Sequence, residues 1–363
     1  MRKSSSKTAS SKIQSFTPVP AEAPPKPRSS RASGRVRLSD VAHAAGVSAM
    51  TVSRALRGEQ RVKPELAQQI QKIAQEMGYV PDPAARALAS QRSNQILVLV
   101  PLLSNALFVD LLEAVHQELL AASYYPVIGI THYDPQEEEQ LLRTYLPMRP
   151  AGLLLTGFDH TPAVQSLLDN SGIPCVHMME LDQQNRQVSV GFCQQTAGTC
   201  ITNHLLERGY RRIAFCAGQL DARVRQRAQG WRQALEAHHL YDPALEYMWP
   251  QSTDLQLGAQ LFNEVIHKDP SVDAIFFCND DIARGALLEA LRQGIKVPEQ
   301  IAIAGFNDLS GSDQMVPPLT TIRTPRKEVG MESARMLLRL IRNEPIEEPQ
   351  RDVGFELMVR QST

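Results

Sequence analysis

The stretch that decides the fold is Leu38-Ser-Asp-Val-Ala-His-Ala-Ala-Gly-Val-Ser-Ala-Met-Thr-Val-Ser-Arg-Ala-Leu56, near the amino terminus. Apolar residues recur at helical spacing on both sides of Gly46, so the stretch predicts two short helices around a turn. Ser48 is of the type that caps a helix by accepting a hydrogen bond from a free backbone N–H group. The predicted buried face of the first helix comprises Leu38, Val41, Ala42 and Ala45.

A third amphipathic helix follows, with Pro64 near its start and Gly78 just past its end. Three small helices, packed so that one face of the second helix points outward, form a helix-turn-helix domain. Such a domain presents that helix to the major groove of DNA. Helix, glycine and helix alone would also fit a generic helical hairpin. The inward face of the third helix is predicted to carry Leu66, Ile70, Ile73, Ala74 and Met77.

The second helix carries the candidate DNA contacts. Arg54 has the reach for a bidentate fork on guanine O6 and N7. The alanine and methionine side chains can contact thymine methyl groups, whereas the hydroxyl groups suit phosphates. The predicted outward residues are Ala49, Met50, Thr51, Ser53 and Arg54.

At 363 residues the chain exceeds what one hydrophobic core serves, and 43% apolar residues can supply several cores. From residue 95 onward, short β-rich runs alternate with amphipathic helical patterns such as 105–122, 194–208, 225–238 and 282–293. This alternation predicts an α/β fold with parallel sheets, arranged as two lobes with a cleft between them. The predicted strands are 96–101, 126–131, 152–156, 174–178, 213–217, 274–278 and 301–306.

The net charge of −1 hides an uneven distribution, because residues 1–37 carry nine basic side chains and a single acid, Glu22. This segment is rich in Ser, Pro and Ala and cannot bury a core, so we predict a disordered basic arm. Two interpretations stay open. The arm either adds sequence-independent attraction to DNA phosphates or is a solvated tail without a required role.

No apolar run is long enough for a signal peptide or a membrane span, so we expect a cytoplasmic protein. The cysteines lack Cys-x-x-Cys spacing, and several lie inside apolar, strand-like runs. Buried, reduced thiols are therefore expected rather than zinc ligands or disulfides, and no metal or cofactor is expected. The cysteines are Cys175, Cys193, Cys200, Cys216 and Cys278.

Candidate ligand contacts lie after the strands, since open α/β sheets bind ligands at the carboxyl ends of their strands. An arginine fork binds a carboxylate, and Asn and Asp side chains pair with hydroxyls, so this set suits a polyhydroxy acid. Arg223 is the favoured carboxylate fork, whereas one of Arg225 and Arg227 is expected to pack or to face solvent. The candidates are Ser104, Asn105, Phe108, Arg223, Arg227, Asn279, Asp280 and Asn307.

Two segments, Val47-Ser-Ala-Met-Thr-Val-Ser-Arg-Ala-Leu56 and Gly78-Tyr-Val-Pro-Asp-Pro-Ala-Ala-Arg-Ala-Leu88, resemble the head piece and hinge of the lactose/galactose repressor (LacI/GalR) family. The resemblance covers nearly the whole chain after residue 37. It implies a repressor that binds a palindromic operator as a homodimer and is released by a small effector. The implied domains are the arm (1–37), a helix-turn-helix domain (38–80), a hinge (81–94) and a periplasmic-binding-protein-like type I core for effector binding and dimerisation (95–363).

Within that family, Leu154-Leu-Thr-Gly-Phe-Asp-His-Thr-Pro162, Val188-Ser-Val-Gly-Phe192 and the loop with Asp221 and Arg223 resemble the members that repress gluconate utilisation. The effector implied is gluconate, 2-ketogluconate or another sugar acid. Purine-binding members place an aromatic ring where this chain has Gln251-Ser-Thr253, so a nucleobase is disfavoured. Cys193 stands where related members tend to have Asp, so the resemblance does not extend to the ligand contact or inter-lobe contact that an Asp at that position would make.

Residues 82–90 contain helix-forming alanines but are fewer than the roughly 12–15 residues that an isolated helix needs in water. The resemblance implies that the hinge of a second subunit and the minor groove stabilise this segment. Leu88 would then be the apolar wedge that opens a base step. The alternative is a simple alanine-rich linker.

Two other classes of protein, an enzyme and a solute-binding protein, fit the sequence less well. An enzyme is disfavoured because Gly-x-Ser-x-Gly, His-Glu-x-x-His, P-loop and Gly-x-Gly-x-x-Gly motifs do not occur in the sequence. Asn279-Asp280-Asp281 could mimic a magnesium site, but a helix cap with a sugar-hydroxyl acceptor suits it better. A solute-binding protein for a transporter shares the core fold, yet it would need an export signal and have no use for residues 38–90.

Overall fold

The structure is a computed structural model that describes residues 36–56, 61–80, 93–182, 184 and 186–363. The predicted basic arm up to residue 35, the hinge residues 81–92 and with them Leu88 lie outside the described residues. The chain divides into two units, Met1–Pro81 and Asp82–Thr363.

The first unit contains helices α1 (Leu38–Ala44), α2 (Ala49–Leu56) and α3 (Pro64–Glu76). Ser48 caps α2 as predicted, because its Oγ accepts a hydrogen bond from the Thr51 N–H group at 3.2 Å. Gly46 and Gly78 have φ values of +64° and +66°, a conformation that glycine adopts without strain. The buried core comprises Val41, Ala42, Val52, Ala55, Val62, Ile70 and Ala74.

The second unit is built from alternating strands and helices. Its strands are β1 (Gln95–Val100), β2 (Tyr125–Ile130), β3 (Gly152–Thr156), β4 (Cys175–Met178), β5 (Ser189–Gly191), β6 (Ile213–Ala217), β7 (Glu246–Met248), β8 (Ala274–Phe277), β9 (Ala302–Asn307), β10 (Thr320–Arg323), β11 (Gln350–Asp352) and β12 (Glu356–Met358). Its helices are α4 (Ala106–Ala121), α5 (Pro135–Tyr145), α6 (Pro162–Ser171), α7 (Gln194–Glu207), α8 (Ala222–Ala237), α9 (Leu255–Lys268), α10 (Asp280–Gln293) and α11 (Arg326–Ile341).

These elements form two lobes, each with its own sheet and core. The N-terminal lobe has the strand order β11-β5-β4-β3-β1-β2, and its paired strands are parallel. The C-terminal lobe has the order β12-β10-β9-β8-β6-β7, in which only the edge pair β10 and β12 is antiparallel. The chain passes between the lobes after β5, after β10 and between β11 and β12, so the predicted α/β fold with two lobes is confirmed.

Helices α7 and α8 touch at two glycines in the C-terminal lobe. A Cβ atom at Gly230 would lie 2.1 Å from the carbonyl oxygen of Gln195, and one at Gly198 would lie 2.5 Å from the carbonyl oxygen of Arg227. Only residues without a Cβ atom permit this approach. The contact fixes the part of α8 that carries Arg227.

None of the helices in the described part of the chain is long and apolar enough to cross a membrane. All five cysteines are free, but only Cys216 and Cys278 are buried, so the expectation of buried thiols is wrong for the three half-buried ones. Burial raises the pKa of Cys278 to about 12. Within the described ranges, no group of three or more His, Cys, Asp or Glu side chains is placed to hold a metal ion.

Candidate functional site

The outer surface of α2 carries the side chains that the sequence predicts to contact DNA. Ala49 and Met50 are exposed, with 59% of Met50 accessible, whereas Thr51, Ser53 and Arg54 are half-buried. The Thr51 hydroxyl lies 2.9 Å from the Ser48 hydroxyl, which holds it at the start of the helix. The two apolar side chains are therefore more exposed to solvent than the three polar ones.

The second candidate site is a cleft between the two lobes. The carboxyl ends of β1, β2, β3, β4, β6, β8 and β9 meet there, as expected for open α/β sheets. Its deep part, which we call the inner cavity, has a volume of ≈ 30 Å³ and brings together six of the eight predicted ligand residues. These are Asn105, Phe108, Arg223, Arg227, Asn279 and Asn307.

Arg227 on α8 is 5% exposed, and its partners are neutral. Its Nε donates to the Gln194 side-chain oxygen at 2.9 Å, and its Nη1 donates to the Cys278 carbonyl oxygen at 2.7 Å. The guanidinium lies over the ring of Phe306, with its carbon atom 3.8 Å from the ring centroid. Burial lowers the pKa of Arg227 to about 10, although the Asp221 carboxylate, which forms its ion pair with Arg223, acts in the opposite direction.

Arg223, one turn earlier on α8, is in a different electrostatic state. Its Nη2 donates to Asp221 Oδ2 at 3.1 Å, and the two side chains form a buried ion pair. Burial opposes both charges, but the attraction between them raises the pKa of Arg223 and lowers that of Asp221. The guanidinium also lies 5.9 Å from the ring centroid of Tyr133, which belongs to the opposite lobe.

Three asparagine side chains line the inner cavity. Asn105 and Asn279 cap α4 and α10, because their Oδ1 atoms accept the backbone N–H groups of Leu107 and Ile282. Asn307 is 3% exposed, and its Oδ1 has no hydrogen-bond partner in the described structure. A buried acceptor without a partner costs free energy, so this atom suits a bound donor. Asn307 also has a φ of +110°, which is unusual for a residue with a side chain.

Two predicted residues do not line the cleft. Ser104 is exposed and lies outside both cavities of the cleft. Asp280 is fully buried, and it accepts hydrogen bonds of 2.7 Å from the Leu309 N–H group and from two hydroxyls, those of Ser312 and Thr321. Burial raises its pKa to about 6. Its oxygens are thus used inside the C-terminal lobe, where they support the loop after β9.

A wider part of the cleft, the outer cavity, has a volume of ≈ 340 Å³ and opens beside Arg223. Glu180 lies there, is 4% exposed, and accepts a hydrogen bond of 2.8 Å from the Gln226 amide across the cleft. Burial raises its pKa, although Arg223 opposes the rise. The Gln194 amide makes a second contact between the lobes, to the Met179 carbonyl oxygen at 3.0 Å.

Comparison with known proteins identifies the family to which the chain belongs. Residues 37–82 match "Bacterial regulatory proteins, lacI family", and residues 202–363 match "Periplasmic binding protein-like domain". The chain is 50% identical over 336 residues to the HTH-type transcriptional regulator GntR of Pseudomonas aeruginosa, covering 93% of this chain and 98% of that protein. The chain belongs to the LacI family.

Solved structures of LacI-family regulators agree with this assignment. Transcription regulator GntR from Chromobacterium violaceum is 45% identical, with a TM-score of 0.72 over 74% of this chain and 98% of that chain. A LacI-family transcriptional regulator from Silicibacter pomeroyi is 33% identical, with a TM-score of 0.83 over 90% of this chain and 99% of that chain. The protein is therefore a DNA-binding transcriptional regulator with a LacI-type fold.

A further cavity lies outside the cleft. It measures ≈ 810 Å³ and opens at the amino ends of the N-terminal lobe's strands, next to Ser93, Tyr124, Ala151 and Pro174. Parallel sheets bind ligands at the opposite, carboxyl ends, where the buried guanidinium and amide groups are found. The smaller, polar cleft is therefore the candidate ligand site.

Sequence reasoning missed Tyr133 and Glu180, although a signal was present. Both follow predicted strands, 126–131 and 174–178, by the same rule that found Asn279 and Asn307. Tyr133 has a φ of +59°, and burial raises its pKa to about 12.

Proposed function

We propose that this regulator represses genes of sugar-acid catabolism and is released from its operator when gluconate binds the cleft. The observation that supports the proposal most is the buried Arg227 guanidinium, whose described partners are all neutral. A buried cation of this kind favours an anionic ligand, because the ligand compensates a charge that the protein leaves uncompensated. Relatives named GntR carry the same functional implication.

The proposed contacts divide the ligand into a carboxylate and a hydroxyl chain. Arg227, assisted by Arg223, binds the carboxylate, and the Asn307 oxygen accepts a hydroxyl. Asn105 and Asn279 donate through their amide groups, and Phe108 packs against the carbon chain. Ser104 and Asp280 are left out of this set for the reasons given above. The alternative effector is 2-ketogluconate or another sugar, which offers a related carboxylate and hydroxyl pattern.

On the DNA side, we propose that two copies of the chain bind a palindromic operator, because a two-fold protein reads a two-fold site. Ala49, Met50 and Arg54 would read bases, with Thr51 and Ser53 on phosphates. Hinge residues 81–94, Leu88 among them, would enter the minor groove. The protein would act in the cytoplasm as a regulator without catalytic activity, in keeping with the relatives named above.

The proposal is tested by a thermal-shift screen of sugar acids on the purified protein, followed by a gel shift with operator DNA. Gluconate is expected to raise the melting temperature by mass action and to release the DNA at the same concentrations. If no sugar acid raises the melting temperature, the effector assignment is wrong. If gluconate binds and tightens the DNA complex, the protein is a regulator of the opposite sign.

A further inference from the structure

The inner and outer cavities form one elongated cleft, because Tyr133, Gln219, Asp221 and Arg223 line both. A ligand longer than a carboxylate must therefore extend from the inner into the outer cavity. The two ends of the cleft differ in charge, and this difference sets the direction in which the ligand lies.

The inner end is positive. Arg227 lies there with neutral partners, and the other polar side chains that line it are amides, a threonine and the Tyr133 phenol shared with the outer end. Asp221 also reaches the inner cavity, but its charge is paired with Arg223. One ligand carboxylate is accordingly placed at the inner end.

The outer end carries an excess of acids. Asp134, Glu138, Asp159, Glu180 and Asp221 line it, against Arg223, Arg225 and His160. Asp221 is paired with Arg223, and His160 Nδ1 lies 2.9 Å from Glu138 Oε2. Arg225 is exposed and donates to the Leu220 carbonyl oxygen. The acids without such a partner are Asp134, Asp159 and Glu180.

Glu180 is the buried one of these acids, whereas Asp134 and Asp159 are exposed. Its Oε1 accepts the Gln226 amide, and its Oε2 has no hydrogen bond among the described contacts. The second oxygen lies where a side chain at position 157 would start, because a Cβ atom on Gly157 would be 2.4 Å from it. A glycine in a left-handed conformation, with φ +75°, thus leaves this oxygen open to the outer cavity.

We propose that Glu180 is a specificity-determining residue that restricts the cleft to monocarboxylic sugar acids, bound with the carboxylate inward on Arg227 and the terminal hydroxyls outward on Glu180. This inference rests on the proposed function and deepens it. A hydroxyl donates a hydrogen bond to the Glu180 carboxylate, whereas a second carboxylate at the same place meets a buried like charge. Unpaired like charges in a desolvated site are a strong means of rejecting a ligand.

The discrimination is expected to depend on pH. The groups that face Glu180 are Arg223 and Asp221 on the C-terminal lobe and Asp159 on its own lobe, together with the neutral amide of Gln226. Burial raises the pKa of Glu180, so protonation begins at a higher pH than for an exposed glutamate. A protonated Glu180 no longer repels a second carboxylate, and the rejection weakens as the pH falls.

Calorimetry with gluconate and with glucarate, its dicarboxylic counterpart, tests the proposal on the full-length protein. The parent should bind glucarate at least tenfold more weakly than gluconate. Glu180→Gln should reduce this ratio about tenfold through tighter glucarate binding, with gluconate affinity within about threefold of the parent. The matched control is Asp169→Asn on α6 of the same lobe, which is exposed and lies outside both cavities, so the ratio should change less than about threefold.

Measuring the ratio of the two affinities at several pH values separates the charge of Glu180 from its packing, because a purely structural role would not make the ratio depend on pH. As the pH is lowered, the ratio should fall in the parent, beginning at a higher pH than the titration of an exposed glutamate, and stay constant in Glu180→Gln. Equal affinities of the parent for both acids, or an unchanged ratio in the variant, would overturn the role of Glu180 while leaving the proposed function intact. If the parent binds neither acid, the proposed function itself fails and this inference with it. Glu180→Ala, with the same expected direction, replaces Glu180→Gln if that variant does not fold.

Discussion

At the scale of single residues, two arginines four positions apart on α8 have opposite electrostatic states. Arg223 has a carboxylate partner in Asp221, whereas Arg227 has the Gln194 side chain, a backbone carbonyl group and an aromatic ring. A ligand carboxylate beside Arg223 must share it with Asp221. Beside Arg227 the ligand supplies the missing negative charge, so Arg227 is the more sensitive of the two.

Arg227→Lys should therefore weaken gluconate binding more than Arg223→Lys does. We expect a loss of about 100-fold for the first and about tenfold for the second, since an ammonium group cannot reproduce a planar fork. Isothermal titration calorimetry measures both. The control is Arg292→Lys on α10, which is exposed, lies outside both cavities and should leave affinity unchanged.

Equal losses for the two variants would contradict the assignment of the carboxylate to Arg227. Operator binding without effector should survive in all three variants, because none of these residues belongs to the helix-turn-helix unit. Loss of operator binding would instead indicate a folding defect.

Arg54 is the residue for which the DNA contact can be tested separately. Arg54→Ala should cost about 1–3 kcal/mol on the operator and little on random DNA, because a bidentate base contact provides discrimination while phosphate contacts provide general affinity. Fluorescence anisotropy with both DNAs at one salt concentration gives the comparison. Equal weakening on both would show that Arg54 contacts only the DNA backbone.

Residue types at strand ends made six of the residues that line the inner cavity predictable from sequence. The exceptions are informative. Asp280 has the residue type of a ligand acceptor, but three scaffold donors already use its oxygens, and a sequence does not show which donors fold against a carboxylate. Glu180 could be found only by asking where every strand ends, and its open oxygen depends on the backbone of Gly157.

At the scale of secondary structure, the longer apolar strands were predictable and the short strands were not. All seven predicted strands are present within one residue at each end, because buried parallel strands have continuous apolar runs. β5, β7, β10, β11 and β12 are short and carry polar or mixed residues, so no periodic pattern marks them. Their pairing is decided by distant partners, such as β11 beside β5.

The contact between α7 and α8 provides a prediction at this scale. Gly230→Ala should destabilise the protein by about 1–3 kcal/mol or more, because the new methyl group meets backbone atoms that cannot rotate away. Urea unfolding measures this loss. Gln229→Ala, at the exposed neighbouring position, should remain within about 0.5 kcal/mol of the parent.

If the helices separate to accept the methyl group, Arg227 moves with α8. Gluconate affinity should then fall in Gly230→Ala although no ligand contact has been mutated. A variant with parental stability and parental affinity would show that the two helices have more room than their glycines indicate.

At the scale of the whole molecule, the effector cleft is a set of contacts between two lobes joined by three chain crossings. The N-terminal lobe contributes Asn105 and Tyr133, and the C-terminal lobe contributes Arg227 and Asn307. A ligand that contacts both lobes favours one spacing of the lobes over others. Such a preference can regulate DNA binding only if the segment before residue 93 responds to that spacing.

Coupling between the cleft and the DNA-binding unit can be measured in both directions. In the parent, gluconate should weaken operator binding, and operator DNA should weaken gluconate binding by the same factor, since coupling between two ligands is reciprocal. A factor of about 5–150 is typical of such coupling. Calorimetry of gluconate with and without operator, and gel shifts with and without gluconate, measure the two directions.

Leu88→Ala should weaken operator binding and abolish DNA bending, because the apolar wedge is gone, while gluconate affinity without DNA and dimerisation stay at parental values. Unchanged bending in a circular-permutation gel would contradict the wedge assignment. Strong coupling that persists in Leu88→Ala would show that the lobes signal to the helix-turn-helix unit by a route that does not need this residue.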